Sequence, residues 1–205
     1  MKRPQFVVLV PVKAPALGKS RLRVPEHVRP GLATAFALDA LHAARETPAV
    51  TEVVVVTADP GFTSRCTELG IATLPDGDGL NASLVGAAAA VRSRLRDAVP
   101  VALCADLPCL RPDDLAEALA QVAGGGTWFV ADADGTGTTM YAAPYDAFEP
   151  RFGTGSRRAH TAAGAIEVVG ELHSLRRDVD DEATLAEALR LGPGPFTHDA
   201  VALLP

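Results

Sequence analysis

Three short stretches of the chain are apolar at almost every position rather than at alternate positions. They cover residues 6–10, 53–57 and 99–104. A strand with one face in water alternates apolar and polar residues, so a continuous run predicts a strand covered on both faces, as in a parallel sheet between helices. A fourth strand is predicted to start at residues 128–131, after a run of three glycines.

The stretches between these strands are rich in alanine and favour helices. The predicted helices cover residues 30–45, 62–69, 80–96, 113–122 and 181–191. This alternation predicts an α/β fold with three layers, α/β/α. Residues 131–144 and 152–160 are interpreted as glycine-bearing functional loops inserted in the sheet, with another short helix after the second. We predict one domain over residues 1–205, in which 192–205 form a C-terminal tail whose order the sequence does not decide.

Composition narrows the class of protein. The chain has 205 residues, of which 48% are hydrophobic, and its formal net charge of -6 argues against general nucleic-acid binding. The apolar run near the N-terminus is too short for a signal peptide or a membrane span, so we expect a cytoplasmic protein with no membrane partner. Three cysteines without metal-ligand spacing predict reduced, structural thiols.

The loop after the first strand carries four cations. Its Gly-Lys-Ser sequence at 18–20 looks like the end of a phosphate-binding P-loop, but that motif requires glycine at position 13, where this chain has a lysine. Loops at the carboxyl ends of strands bind ligands in open α/β sheets, so the cluster predicts a site for a polyanion such as a triphosphate. A solvated basic turn is the alternative. The four cations are Lys13, Lys19, Arg21 and Arg23.

Carboxylates occur at two further positions. Asp106 directly follows the third strand, and a carboxylate there suits Mg²⁺, which prefers one or two carboxylates plus phosphate oxygens. Asp178 and Asp180 lie two residues apart and share a face if the chain is extended, so one of them can complete a metal site. The alternatives are a turn cap at Asp106 and an N-cap of the last helix by Asp180 or Asp181.

Two glycine-rich segments resemble anion cradles. Residues 135–139 combine backbone freedom with hydroxyl and amide donors, and residues 152–160 place glycine and serine before a helix. Hairpin turns and an ordinary serine N-cap are the alternatives. Asn81 lies at the start of the predicted helix 80–96 and is expected either to contact a nucleobase or sugar or to cap that helix. His160 and His173 are expected at surface or helix-capping positions.

Together these residues predict nucleotidyl transfer, in which a phosphate of one substrate attacks the α-phosphorus of a nucleoside triphosphate. Mg²⁺ on Asp106 and Asp178 would neutralise charge, and Lys13 and Lys19 would stabilise charge that develops on the leaving oxygens. A phosphate nucleophile is already ionised at pH 7, so the reaction needs no general base.

Five motifs, in this order, carry a family resemblance: VPVKAPALGKSRL, ADLPCLRPDDL, ADADGTGTT, RFGTGSRRAH and LRRDVDDEATL. They resemble the 2-phospho-L-lactate guanylyltransferase family, in particular its phosphoenolpyruvate-using members, over about residues 5–190. The resemblance implies a nucleotide-diphospho-sugar transferase-like fold with a mixed sheet. It also implies that GTP and phosphoenolpyruvate give enolpyruvoyl-2-diphospho-5'-guanosine and pyrophosphate, in coenzyme F-420 biosynthesis, and that a downstream transferase takes the product.

The resemblance also implies residue roles. Asp106 and Asp178 would hold Mg²⁺, while Lys13, Lys19, Arg21 and Asn81 would lie along the GTP. The residues implied for phosphoenolpyruvate are Thr138, Gly153 and Ser156. Thr154 stands where proline is expected in the family, a change that removes neither a charge nor a donor.

Several alternatives stay open. The acceptor can be 2-phospho-L-lactate or 3-phosphoglycerate, which also combine a carboxylate with a phosphorylated carbon framework. A pterin nucleotidyltransferase would be expected to show a different glycine-rich first loop, and a non-catalytic nucleotide-binding regulator would be expected to have lost a metal carboxylate. The long segment 145–175 leaves open a contact with a second copy, that is, a homodimer.

Overall fold

A seven-stranded sheet runs through the part of the chain that the computed structural model describes, residues 5–13, 22 and 24–203. Its spatial order is β3-β2-β1-β4-β6-β5-β7. The strands are β1 (Gln5–Pro11), β2 (Val50–Val56), β3 (Ala72–Leu74), β4 (Ala98–Leu103), β5 (Trp128–Ala131), β6 (Thr138–Ala142) and β7 (Ile166–Glu167).

One strand makes this sheet mixed. β6 pairs antiparallel with both β4 and β5, whereas the other neighbouring strands pair in parallel. Because β6 runs the opposite way, its first residue, Thr138, lies at the edge of the sheet where β4 ends. The predicted α/β fold with a mixed sheet is confirmed.

Helices cover both faces of the sheet. On β1, Val8 packs toward α1 and α4, and its neighbour Val7 packs toward α3, so both faces of this strand are buried and the continuous apolar run is explained. The helices are α1 (Arg29–Glu46), α2 (Pro60–Glu68), α3 (Leu80–Arg92), α4 (Pro112–Val122), α5 (Ser156–Ala162), α6 (His173–Arg176), α7 (Glu182–Leu191) and α8 (Pro195–Ala202). A short 3-10 turn also covers Tyr145–Ala147.

The predicted strands and helices are confirmed to within a few residues at most of their ends. The largest shift is at α3, which ends at Arg92 rather than at 96. The prediction that 131–144 is a loop is wrong for β6, whose five residues are all buried. Glycines and threonines before residue 138 suggested a loop, but the sequence from Thr138 onward is rich in the β-branched and aromatic residues that strands favour.

The described part of the C-terminal tail contains a helix, α8. α8 packs on α1 and α7 through a small apolar cluster that includes Phe36, Leu185 and Val201. Asp39 of α1 is 3% exposed and accepts hydrogen bonds from the N–H groups of Phe196 (3.0 Å) and Thr197 (2.8 Å). Since these N–H groups lie in the first turn of α8, Asp39 caps that helix from a distant element.

Candidate functional site

Three carboxylates meet at the edge of the sheet where β1 and β4 end. Asp106, Asp178 and Asp180 each place one oxygen within 4.8 Å of the others. The backbone N–H of Val179 donates to the carbonyl of Asp106 at 3.0 Å, and the Val179 side chain is buried, so the aspartates on either side of it are held next to the β4 turn. Oxygen ligands in this arrangement suit a hard divalent cation.

The neighbouring carboxylate has a different role. Asp181 caps α7: its side chain accepts from the N–H of Thr184 at 2.9 Å, and the Thr184 hydroxyl accepts from the N–H of Asp181. Of the two alternatives for this stretch, the N-cap therefore falls on Asp181. Asp180 lies with Asp106 and Asp178 in the carboxylate cluster. The sequence indicated this only through the spacing of two residues between Asp178 and Asp180, which places both side chains on one face of an extended segment.

Of the two lysines that the sequence predicts to contact a triphosphate, the described residues include Lys13. Lys13 is exposed and comes two residues after the end of β1, at the same edge of the sheet as the three carboxylates. Lys19, Arg21 and Arg23 lie outside the described residues. Their predicted contact with phosphates stays a prediction.

Two hydroxyls lie close together at the edge of the sheet where β4 ends. Thr138 is the first residue of β6 and Ser156 is the first of α5; their side-chain oxygens are 3.0 Å apart, and both residues are buried. The backbone of β6 continues its pairing past β4, since the N–H of Cys104 donates to the carbonyl of Thr139 at 2.8 Å. The hydroxyl pair is thereby tied to a position two residues before Asp106.

The predicted anion cradle at 135–139 is partly filled by the protein itself. The carboxylate of Asp132 accepts from the N–H groups of Thr136 (2.9 Å) and Gly137 (2.7 Å). A Cβ added at Gly137 would lie 2.3 Å from the Asp132 carboxylate, so glycine is required there by the close approach. The amides that suggested an external anion thus bind an internal one, and Thr138 is the member of this segment that remains as a candidate ligand residue.

The second predicted cradle surrounds Gly153. This residue is exposed and has φ of +133°, a backbone conformation that residues with side chains rarely adopt. Just before it, the Asn81 amide donates to the Phe152 carbonyl at 3.0 Å and accepts from the Phe152 N–H at 2.8 Å. Asn81 therefore anchors the segment that leads to Gly153 and Ser156. Its predicted position near the nucleoside stays a prediction.

One histidine joins this network. The expectation that His160 occupies a surface or capping position is wrong, because the residue is fully buried. Its Nδ1 lies 3.0 Å from the Thr138 hydroxyl, and its Nε2 accepts the N–H of Arg151 at 2.9 Å. Burial lowers the pKa of His160 to about 4, against a smaller opposing effect of a hydrogen bond with the Ser156 backbone, so the ring is neutral at pH 7. His173, at the start of α6, is exposed as expected.

The cysteines are free thiols, as predicted. Burial raises the pKa of Cys66 and of Cys109 to about 11, which makes both poor nucleophiles at neutral pH. Cys104 is partly exposed, and its Sγ lies 3.4 Å from the carbonyl of Thr138.

Carboxylates, a lysine and buried hydroxyls at one edge of a mixed α/β sheet are typical of an enzyme that transfers nucleotidyl groups. Residues 34–179 match the family described as the MobA-like NTP transferase domain. A putative nucleotide-diphospho-sugar transferase from Desulfovibrio desulfuricans G20 has the same fold, with a TM-score of 0.64 over 92% of this chain and 96% of that one, at 16% sequence identity.

Two relatives match over nearly the full length. The phosphoenolpyruvate guanylyltransferase of Streptomyces scabiei (strain 87.22) is 46% identical over 98% of this chain and 97% of its own. That of Thermomonospora curvata is 45% identical over 97% of this chain and 89% of its own. The chain belongs to the phosphoenolpyruvate guanylyltransferase family, within the MobA-like NTP transferases, and the family resemblance of its five motifs is confirmed.

Proposed function

We propose that this protein transfers GMP from GTP to phosphoenolpyruvate, which gives enolpyruvoyl-2-diphospho-5'-guanosine and pyrophosphate. The observation that carries the proposal is that the Thr138–Ser156 hydroxyl pair lies at the same edge of the sheet as the carboxylates of Asp106, Asp178 and Asp180, in a chain of this family. A carboxylate set that suits a metal ion, with hydroxyl donors at the same edge of the sheet, fits a triphosphate and a compact anionic acceptor.

The reaction needs one bond to form and one to break. An oxygen of the phosphoenolpyruvate phosphate attacks the α-phosphorus of GTP, and the bond from that phosphorus to the bridging oxygen of pyrophosphate breaks. The attacking phosphate oxygen is already ionised at pH 7, so no protein group has to remove a proton. The task of the protein is to position the two anions in line and to offset their charge.

The three aspartates fit a Mg²⁺ ion by the chemistry of their oxygen donors. When bound, the cation neutralises charge on the triphosphate and favours the departure of pyrophosphate. We assign Asp106 and Asp178 as its ligands, and Asp180 as a third carboxylate that the cluster adds to them.

The remaining roles follow from position. Lys13 and Lys19, with Arg21, would contact the GTP phosphates, and Lys13 is exposed at the carboxyl end of β1 as this requires. Thr138, Gly153 and Ser156 would hold the phosphoenolpyruvate, the hydroxyls as donors and Gly153 through its unusual backbone conformation. Asn81 would face the nucleoside while it anchors Phe152.

The pathway and the surroundings of the enzyme belong to the same proposal. We place the reaction in coenzyme F-420 biosynthesis, with the product passed to a downstream transferase, and the protein in the cytoplasm, with a homodimer as the assembly to test. Among the described residues, no helix has both the length and the hydrophobicity that crossing a membrane requires.

The experiment is a pyrophosphate-release assay with purified protein, Mg²⁺, each of the four nucleoside triphosphates and three acceptors: phosphoenolpyruvate, 2-phospho-L-lactate and 3-phosphoglycerate. We expect turnover with GTP and phosphoenolpyruvate, abolished in Asp106→Ala and strongly reduced in Lys19→Ala. Because the product can be unstable, each reaction is run with and without the downstream transferase. Faster turnover with either other acceptor, or with CTP and a pterin, would overturn the assignment of the acceptor or of the nucleotide.

A further inference from the structure

The imidazole of His160 is enclosed by aromatic rings from three parts of the chain. Phe129 of β5 and Tyr141 of β6 lie nearly parallel to it, with ring centroids 5.5 and 4.8 Å away, and Phe152 meets its edge at 5.7 Å. The residue is fully buried. The ring therefore has a fixed orientation, and each of its nitrogens has a fixed neighbour.

The neighbours of the two nitrogens determine which one carries the proton. Nε2 accepts the backbone N–H of Arg151 at 2.9 Å, and a backbone N–H can only donate. Nε2 therefore has no hydrogen, and the proton of the neutral ring lies on Nδ1. Nδ1–H then donates to the Thr138 hydroxyl oxygen, 3.0 Å away, with the Ser156 backbone carbonyl as a second acceptor.

This hydrogen bond determines whether the Thr138–Ser156 hydroxyl pair can donate a hydrogen to a ligand. Thr138 and Ser156 have two hydroxyl hydrogens between them, and the 3.0 Å bond that joins their oxygens uses one. Because His160 supplies its own hydrogen to Thr138, neither hydroxyl has to donate back to the ring. One hydroxyl hydrogen is left for a ligand, whichever way the Thr138–Ser156 bond is directed.

The opposite tautomer would have the opposite effect. If Nδ1 were an acceptor, Thr138 would donate to it and Ser156 would donate to Thr138, which uses both hydrogens. The pair would then present oxygen lone pairs to the ligand, and lone pairs repel a phosphate or carboxylate oxygen. The tautomer of the ring thus decides whether this hydroxyl pair attracts or repels an anion.

We propose that His160 is a positioning residue for the acceptor: through its Nδ1–H it orients the Thr138 and Ser156 hydroxyls so that they donate to the anionic groups of the substrate. The same ring anchors Arg151 and so helps to place the segment that leads to Gly153. This inference rests on the proposed function, because it takes the hydroxyl pair as part of the acceptor site.

Two substitutions separate the two nitrogens. His160→Asn places an amide near the position of Nδ1 and keeps a donor for Thr138, whereas His160→Gln places its amide near Nε2 and loses that donor. A hydrogen bond to a charged group corresponds to about tenfold or more in affinity. We expect His160→Gln to raise KM for phosphoenolpyruvate at least about tenfold, His160→Asn to raise it less, and KM for GTP to stay within about twofold in both.

Equal effects of the two substitutions, or equal changes in both KM values, would overturn the role of Nδ1. The wild-type assay is the baseline: if it shows no turnover with phosphoenolpyruvate, the proposed function fails, independently of the variants. A second measurement needs no variant, since the ¹⁵N chemical shifts of the His160 ring in the wild-type protein report its tautomer. The Nδ1–H tautomer is required, and the Nε2–H tautomer would overturn the inference even if both variants fail to fold.

Discussion

Asn81 holds the backbone of Phe152 at both of its hydrogen-bonding groups, across 71 positions of the sequence. The amide nitrogen donates to the Phe152 carbonyl and the amide oxygen accepts the Phe152 N–H. Asn81 lies in the first turn of α3, and Phe152 immediately precedes Gly153. The start of α3 and the predicted acceptor loop are therefore one connected unit.

Substitution of Asn81 is expected to affect the acceptor more than the nucleotide. Asn81→Ala removes both bonds to Phe152, so the segment before Gly153 loses its anchor. We expect KM for phosphoenolpyruvate to rise about tenfold, with a loss of about 1–3 kcal/mol in the free energy of unfolding. Steady-state kinetics and chemical denaturation measure the two effects.

The chain offers a matched control for this variant. Gln121 of α4 holds the backbone of Val169 in the same way, with bonds of 2.8 and 3.1 Å. Because these bonds are exposed and those of Asn81 are partly buried, Gln121→Ala should reduce stability by less, and it should leave both KM values unchanged. If both variants raised KM for phosphoenolpyruvate equally, the effect would be general loosening and the specific role of Asn81 would be wrong.

The carboxylate cluster predicts that the Mg²⁺ dependence of the activity involves Asp106, Asp178 and Asp180, whereas the neighbouring Asp181 has no part in it. We expect Asp106→Asn and Asp178→Asn each to reduce kcat on the order of 100-fold, and Asp180→Asn to raise the Mg²⁺ concentration needed for half-maximal rate. Asp181→Asn is the control, since asparagine caps a helix as well as aspartate does. Titration of Mg²⁺ in the kinetic assay separates the variants, and an unchanged Mg²⁺ requirement in Asp180→Asn would remove that residue from the site.

The capping of α8 by Asp39 predicts a stability effect remote from the site. Asp39→Ala leaves the N–H groups at Phe196 and Thr197 without their carboxylate, which should cost about 1–3 kcal/mol in the free energy of unfolding.

Gly194→Ala should also destabilise the protein, because its Cβ would lie 2.3 Å from the Asp39 carboxylate. Gly31→Ala in α1 is the matched control: its Cβ meets no atom within 4 Å, so that variant should be neutral or more stable.

The lowered pKa of His160 predicts a pH dependence of stability. The folded-state pKa is about 4 and the unfolded value is 6.5, so the unfolded chain binds the extra proton between these values. Stability conferred by the neutral ring is complete above pH 6.5 and is lost as the pH falls toward 4, by up to about 1.4 kcal/mol per pH unit. Arg151 is the charged group at this ring and Tyr141 is the other titratable one. Burial raises the pKa of Tyr141, so its hydroxyl stays neutral in this window.

Chemical denaturation at several pH values, on wild type and on His160→Gln, measures this contribution. The wild-type free energy of unfolding should fall more steeply between pH 6.5 and 4 than that of the variant. Parallel slopes for the two proteins would show that His160 is not held neutral by its surroundings.

The sequence was informative where chemistry follows directly from position along a strand. Asp106 could be predicted because a carboxylate directly follows a buried apolar run, and the spacing of Asp178 and Asp180 placed both on one face. The first prediction needs only the geometry of strand ends, and the second needs only the alternation of side chains along an extended segment. The P-loop interpretation could also be rejected from the sequence alone, because Lys13 occupies the position where that motif requires glycine.

The sequence was silent where a role depends on partners far along the chain. The burial of His160 depends on Phe129, Tyr141 and Phe152, which lie on separate elements, and short local patterns carry no information about them. Likewise, the glycine-rich turn at 135–139 looked like a site for an external anion, whereas Asp132 occupies its amides.

The position of a radioactive label in GTP distinguishes attack at the α-phosphorus, which guanylyl transfer requires, from attack at the γ-phosphorus. Wild-type enzyme is incubated with phosphoenolpyruvate, Mg²⁺ and GTP that carries ³²P at either the α- or the γ-phosphorus, and the products are separated. We predict that the α-label appears in the phosphoenolpyruvate-derived product and the γ-label in pyrophosphate. Release of the γ-label as inorganic phosphate, or its transfer to the acceptor, would contradict the account.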